Sequence, residues 1–148
     1  MIRWVLAVYL SIFLNAALFA SNIADFSETH TPTSVAAIKE FHGYSNPWAI
    51  LGSRMGDYAV QKLALKKKTA VSVLVEHDPR LPMTGVADGL QLATGATYGR
   101  QAIVLVPSTY LRVRVVNNET KKGLLFRLTD AMRNKLYQWK NEGLSFEK

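Results

Sequence analysis

Two short stretches of this chain hold residue types that bind ligands or move protons. Phe41-His42-Gly43-Tyr44-Ser45-Asn46-Pro47-Trp48 offers an imidazole and an amide. Asp88-Gly89-Leu90-Gln91-Leu92-Ala93-Thr94-Gly95-Ala96-Thr97-Tyr98-Gly99 offers a carboxylate, a second amide and two hydroxyls. An imidazole that titrates near neutrality serves as a metal ligand or as a general acid or base. A carboxylate is an oxygen ligand for a cation, or it orients an imidazole. His42 falls between two expected helices, just ahead of a helix start where anions and polarised groups are favoured. Asp88 and Gln91 share one helical face, with Thr84 a turn earlier. Thr94 and Thr97 lie in a turn with Gly95 and Gly99, which can approach a ligand through backbone N–H groups. Arg100 adds a partner for an anion. Residue types alone assign no catalytic role to any of them.

Several chemistries are excluded or unsupported. The chain has no cysteine, so disulfides, thiolate metal ligands and a cysteine nucleophile are out. No serine sits in a nucleophile-elbow glycine pattern. The glycine-rich turn is not followed by the lysine-serine/threonine pair of a phosphate-binding loop, and it lacks the dinucleotide fingerprint. A divalent metal ion held by His42 and Asp88 is open, although two ligands undersupply it. Arg112 and Arg114 alternate with apolar residues on a basic strand face, yet no aromatic interleaving of the kind that holds single-stranded nucleic acid appears. Nucleic acid is therefore a disfavoured partner. His30 and His77 stand alone in loops and carry no assignment.

The elements that must position these groups follow from spacing. Thr33 or Ser34 can cap a short helix over 35–41, on which Ile38 and Phe41 share a face. Asn46-Pro47 is a favoured cap and first helical residue. The helix it opens runs to about Leu65, with Trp48, Leu51, Met55, Ala59 and Leu63 as its buried stripe. Gly52 and Gly56, one turn apart, cost about 1 kcal/mol each relative to alanine. The close approach of another backbone would compensate, and such a glycine-rich helix surface can serve for dimerisation. Residues 69–76 alternate as a strand. Residues 83–95 have helical spacing at Met83, Val86, Leu90 and Ala93, with Thr84, Asp88, Gln91 and Gly95 on the other face. Strands are expected over 102–106, 109–116 and 124–128, the last two as a hairpin. Thr129 caps a final helix with Met132, Leu136 and Trp139 buried. The order predicts an α+β fold, helices packed on a mixed β-sheet of about four strands, in one domain.

Residues 1–20 have one positive charge, Arg3, an apolar run from Trp4 to Leu14 and a small-residue exit at Ala16-Ala17-Leu18-Phe19-Ala20. This is the pattern of a secretory signal cleaved after Ala20. Uncleaved, the same segment is an anchor at the lower length limit for a membrane span. Either way the expected location is secreted or periplasmic, with membrane contact only through that segment. Residues 21–33 read as a linker and 34–148 as the folded domain. The net charge is +7, and the first twenty residues contribute only Arg3 to it, so the domain itself is basic and suited to acidic partners.

The two stretches resemble the paired motifs of the FmdE family, named for formylmethanofuran dehydrogenase. The first is Phe41-His42-Gly43 … Pro47 … Leu51-Gly52 … Arg54-Met55-Gly56. The second is Pro82-Met83-Thr84 … Asp88-Gly89-Leu90-Gln91 … Thr94-Gly95-Ala96-Thr97-Tyr98-Gly99. Order and spacing agree over 35–106. The resemblance implies an α+β domain with a mixed sheet, often a homodimer, and a metal-associated site near the motifs. Family members usually carry a cysteine where this chain has Asn46, and often another where it has Gly85. The chain thus resembles a cysteine-free, divergent member. His42 and Asp88 carry over as primary contacts to a metal ion, metal complex or small anion. Asn46, Gln91, Thr94 and Thr97 are expected as supporting polar groups. The rival readings are a hydrolase- or lyase-type enzyme with His42 as acid/base and Asp88 orienting it, and a dimeric partner-binding module.

Overall fold

The structure, a computed structural model, describes residues 26–142. Along the chain run α1 (Phe26–Thr29), α2 (Val35–His42), α3 (Pro47–Lys62), β1 (Val71–His77), α4 (Gly85–Thr94), β2 (Ile103–Pro107), β3 (Arg112–Asn117), β4 (Gly123–Arg127) and α5 (Asp130–Asn141). Short 3-10 turns sit at Lys68–Ala70, Pro82–Thr84 and Tyr98–Arg100. The signal segment expected over 1–20 lies outside the described residues.

The strands form one mixed sheet in the order β2-β1-β3-β4. β1 pairs with β2 in parallel and with β3 antiparallel, and β3–β4 is the expected hairpin. The parallel pair needs a crossover, and α4 supplies it. Val71, Val73 and Val75 on β1, Val113 and Val115 on β3 and Ile103 on β2 are buried on one face. Trp48, Met55, Ala59, Val60, Val86 and Leu90 of the helices join them in one core. Full burial of such a side chain contributes about 1.5–3 kcal/mol. A one-residue slip of β1 would turn all three of its core valines to the opposite face, so burial fixes the register.

Caps fall where the residue types call for them. Ser34 Oγ accepts the Ala37 N–H at 3.1 Å, and α2 ends at Gly43, whose φ of 91° suits a residue without a side chain. Asn46 Oδ1 accepts the Trp48 N–H at 2.9 Å, with Pro47 at the first helical position. Some expectations fail. Ile38 is buried but Phe41 is 53% exposed, so they do not share a face against the core. An eight-residue helix buries a single position there and leaves its last turn standing over a surface pocket. Met132 is also exposed, and of its stripe only Leu136 is fully buried. The long helix stops at Lys62, three residues before the expected end, because Ala64 takes φ 45° and turns the chain.

Residues 26–33 fall inside the expected linker, yet they are tied down. Phe26 and Ser27 donate backbone N–H bonds to Lys66 and Leu65 carbonyls. Buried Asp57 of α3 accepts from the Thr33 backbone and hydroxyl, and it meets His30 Nε2 at 2.9 Å.

The glycines explain how α3 and α4 meet. A Cβ on Gly52 would lie 2.1 Å from the Val86 carbonyl oxygen, and one on Gly89 would lie 1.9 Å from the Ala49 carbonyl oxygen. One on Gly56 would strike the Ala93 methyl at 2.6 Å. The close approach that the glycines call for is met inside the chain, by α4. The Gly52–Gly56 surface is therefore not free to serve as a dimer face.

At the C-terminal end of β1, Arg80 donates to both oxygens of Asp78, from Nε at 2.9 Å and Nη2 at 2.6 Å, and its backbone N–H adds a third bond. These bonds hold the Asp78 carboxyl down at about 2, against an ordinary value of 3.8. A carboxylate with a lowered value stabilises the fold fully above its unfolded value, and that contribution fades as pH falls toward the folded one.

These contacts carry two expectations for stability. Gly89→Ala should lower unfolding free energy in urea by roughly 3 kcal/mol or more, since the new methyl forces two backbones apart. Gly99→Ala, with nothing within 4 Å of the added carbon, should leave it within about 0.5 kcal/mol of the parent. Between pH ~4 and ~2 the parent should lose more stability than Arg80→Gln, which lacks the bonds that lower Asp78. Parallel acid curves for the two proteins would show that the pair contributes nothing to acid stability.

Candidate functional site

His42 ends α2 and Asp88 lies in the first turn of α4. The glycine contact between α3 and α4, together with the turn that joins α2 to α3, brings them together. His42 Nδ1 meets Asp88 Oδ2 at 2.6 Å. On the other side of the ring, Asn46 Nδ2 meets His42 Nε2 at 2.8 Å.

The orientation of the Asn46 amide follows from its cap. Its Oδ1 accepts from the Trp48 N–H, so the group facing His42 is the NH2, which can only donate. His42 Nε2 must then be an acceptor. When the ring is neutral, its single proton sits on Nδ1 and is donated to Asp88. One asparagine thus caps a helix and fixes a tautomer. Tyr44 packs on the imidazole with ring centroids 4.8 Å apart.

The pair opens onto a cleft of about 940 Å³. Among the described residues that line it, Asp88, with 35% of its side chain exposed, is the acidic group and none is lysine or arginine. Gln91 stands beside Asp88, with Nε2 3.4 Å from Oδ1. Its Oε1 accepts the Tyr98 N–H at 3.0 Å, so this amide too has a fixed direction, NH2 toward the carboxylate. Ala87 and the β2 residues Ile103, Val104 and Leu105 give the cleft an apolar wall, and Tyr98 and Gln101 stand at its far side.

The six site residues expected from sequence do not all meet. His42, Asp88 and Gln91 line the cleft together. Asn46 is buried behind the cleft lining, against His42 and Gly85. Thr94 and Thr97 are not with them, and expecting them there needs correction. Thr94 is fully buried; its hydroxyl donates to the Leu90 carbonyl at 2.6 Å and accepts from the Ala96 N–H at 3.1 Å, closing the end of α4. Thr97 faces away, on the far side of the loop, where its Oγ1 accepts from Arg100 Nε at 3.2 Å. Tyr98, Gln101 and the β2 wall join the cleft without having been expected there. Only the position of the parallel strand beside α4 could have placed them, and no local pattern carries that.

The two positions at which the family resemblance implies cysteine, Asn46 and Gly85, meet in space. A Cβ on Gly85 would lie 2.9 Å from Asn46 Nδ2. Asn46 thus fills the room beside Gly85 and holds His42 Nε2, the nitrogen a metal would take. Among the described residues no group of three or more His, Cys, Asp or Glu side chains is placed to hold a metal ion. A resident transition metal takes three or four protein ligands. The donor set here does not fit one.

In Asn46→Ala the helix loses its cap, at about 1 kcal/mol, and His42 Nε2 loses its donor. Nitrogen-15 NMR of the neutral ring should show the proton on Nδ1 in the parent and a shift of population toward Nε2 in the variant. A parent ring protonated on Nε2 would contradict the assigned amide direction.

The model of the family described as FmdE, Molybdenum formylmethanofuran dehydrogenase operon, matches residues 41–147, extending the resemblance beyond the paired motifs into the hairpin and last helix. A protein of Archaeoglobus fulgidus named a probable S-adenosyl-L-methionine-binding protein is 32% identical over 92 residues, covering 58% of this chain and 24% of that protein. The chain spans about a quarter of that relative's length. With the family match running through both motifs, the cleft and the whole sheet, the chain belongs to the FmdE family.

Proposed function

We propose that this domain binds a small organic molecule of cofactor size, with His42 and Asp88 as its primary polar contacts. The observation that carries this is the cleft itself. Its volume of about 940 Å³ is that of a small-molecule site, not of an ion site, and it pairs an apolar β2 wall with a few convergent polar groups. Charge narrows the ligand. Asp88 is the acid among the described residues that line the cleft, and none of these is lysine or arginine, so the group seated there is a cation or a hydrogen-bond donor. This favours an organic cation over a small anion, whatever the net charge of the chain. A metal ion held by His42 and Asp88 would bring most of its own ligands, as a small metal complex does.

S-adenosyl-L-methionine, which the name of the Archaeoglobus relative supplies, is a suitable first probe because it combines a sulfonium and an ammonium with a planar base. A second reading has one observation in its favour: the 2.6 Å His42–Asp88 contact is the pairing an acid/base histidine needs. Against it, Nε2, the nitrogen left to meet a substrate, is held by Asn46. The first reading makes fewer demands. We place its action outside the cytoplasm, on the signal-like segment 1–20.

Titration calorimetry with S-adenosyl-L-methionine and with zinc or nickel chloride tests the reading. Saturable binding of the organic cation, weakened about tenfold in Asp88→Asn, is expected from loss of a charge-assisted contact. Equal affinity in Asp88→Asn, or tight binding of the bare metal alone, would overturn it.

A further inference from the structure

The loop that walls the cleft has a second side. There a pocket of about 420 Å³ is lined by Phe41, Lys68, Thr69, Gln91, Thr97 and Arg100 among others, and none of the described residues that line it is acidic. Lys68 and Arg100 have no carboxylate partner among the described residues, whereas Lys67, the neighbour of Lys68 in sequence, meets Glu119 at 3.7 Å.

Both are held in place. Arg100 donates from Nε to Thr97 Oγ1 at 3.2 Å, and from Nη2 to the Lys68 carbonyl at 3.2 Å and to the Gly95 carbonyl. These anchors fix the guanidinium plane and use one edge of it. Nη1 has no hydrogen-bond partner among the described residues. The Thr97 hydroxyl oxygen accepts from Arg100, which leaves its own proton to donate elsewhere. The aliphatic stem of Lys68 runs across Gly95, where a Cβ would lie 2.8–3.0 Å from three of its carbons. Gly95 therefore ends α4 in the left-handed conformation, φ 72°, and also makes room for that stem. The Lys68 ammonium rests 5.4 Å from the centroid of the Phe26 ring. That contact is weak at an exposed site, so it does not hold the charge against a stronger partner.

We propose that this pocket is an oxyanion site. It takes a phosphate or carboxylate group between the Lys68 ammonium, the unused edge of the Arg100 guanidinium and the hydroxyls of Thr69 and Thr97. The guanidinium is anchored before the ligand arrives, and the Lys68 ammonium completes the charge-assisted donor set by leaving its weak contact with the Phe26 ring. Gln91 lines both this pocket and the cleft, so a site selecting anions stands next to one selecting cations.

The test is a heteronuclear NMR titration of the full chain with sodium pyrophosphate, at constant ionic strength, with a parallel titration in sodium acetate. Saturable shifts are expected at the amides of 68–69 and 95–100, with the stronger of the two anions naming the group recognised. Lys68→Gln keeps the stem over Gly95 and should weaken binding at least about fivefold. Lys122→Gln removes the same charge from an exposed turn and should change it less than about twofold. Equal weakening in both variants would mean general attraction to a basic surface. Shifts centred on His42 and Asp88, or no saturation with either anion, would equally overturn the proposal.

Discussion

The backbone contact between α3 and α4 is the constraint on which the rest of the structure depends. At Gly52 and Gly89 each helix lies so close to the other that a single methyl group would overlap a carbonyl oxygen. Helices packed through ordinary side chains stand 8–10 Å apart. Without side chains at the crossing these two come closer, and groups at their ends come closer with them. Asn46, capping α3, then reaches the ring that ends α2, and Asp88, in the first turn of α4, reaches its other nitrogen. The roughly 1 kcal/mol that each mid-helix glycine costs in propensity is the condition for that geometry. The site is thus a consequence of helix packing more than of loop conformation. This suits a pair of groups that must keep a 2.6 Å contact at the mouth of an open cleft.

Local charge in this domain contradicts its total charge. The chain carries +7, which alone would point to anionic partners. Among the described residues the cleft nevertheless has a carboxylate as its charged group, apart from the titratable His42, while Lys68 and Arg100, which have no carboxylate partner there, line a pocket on the other side of one loop. Net charge governs encounter at distances around the Debye length, about 8–10 Å. Inside a cleft, the nearest desolvated charge decides which group is tolerated. A single net figure therefore says little about what this cleft selects.

Much of the fold was legible because its signals are local. Asn46-Pro47 marked a helix start through cap chemistry, and the alternation around Val113 and Val115 marked a strand with one buried face. His42 and Asp88 could be paired only by way of a family resemblance, since 46 residues separate them and no periodicity links them. Thr94 misled for a physical reason. A threonine at a helix end has the same composition whether its hydroxyl faces a ligand or folds back on the Leu90 carbonyl, and here it folds back. Phe41 misled because spacing reports which residues share a face but not whether anything covers that face. The β2 wall was invisible as part of a site because strand order is a tertiary fact.

Asn46 and Gly85 show how a site can change chemistry while keeping its architecture. They are the positions at which the family resemblance implies cysteines, and they touch. A thiolate at either would add a soft, negatively charged ligand beside His42 Nε2. The amide adds no charge, and its direction is set by the Trp48 N–H, so the hydrogen it offers turns Nε2 from an available ligand into an occupied acceptor. Gly85 is the complementary change, since any side chain there would press on the Asn46 amide. Restoring cysteine at only one position would therefore not restore a thiolate site. Cysteine at 85 alone would collide with Asn46, and cysteine at 46 alone would give up the amide that caps α3. The two positions act as one unit, and the pair present here is built for a hydrogen-bonded histidine.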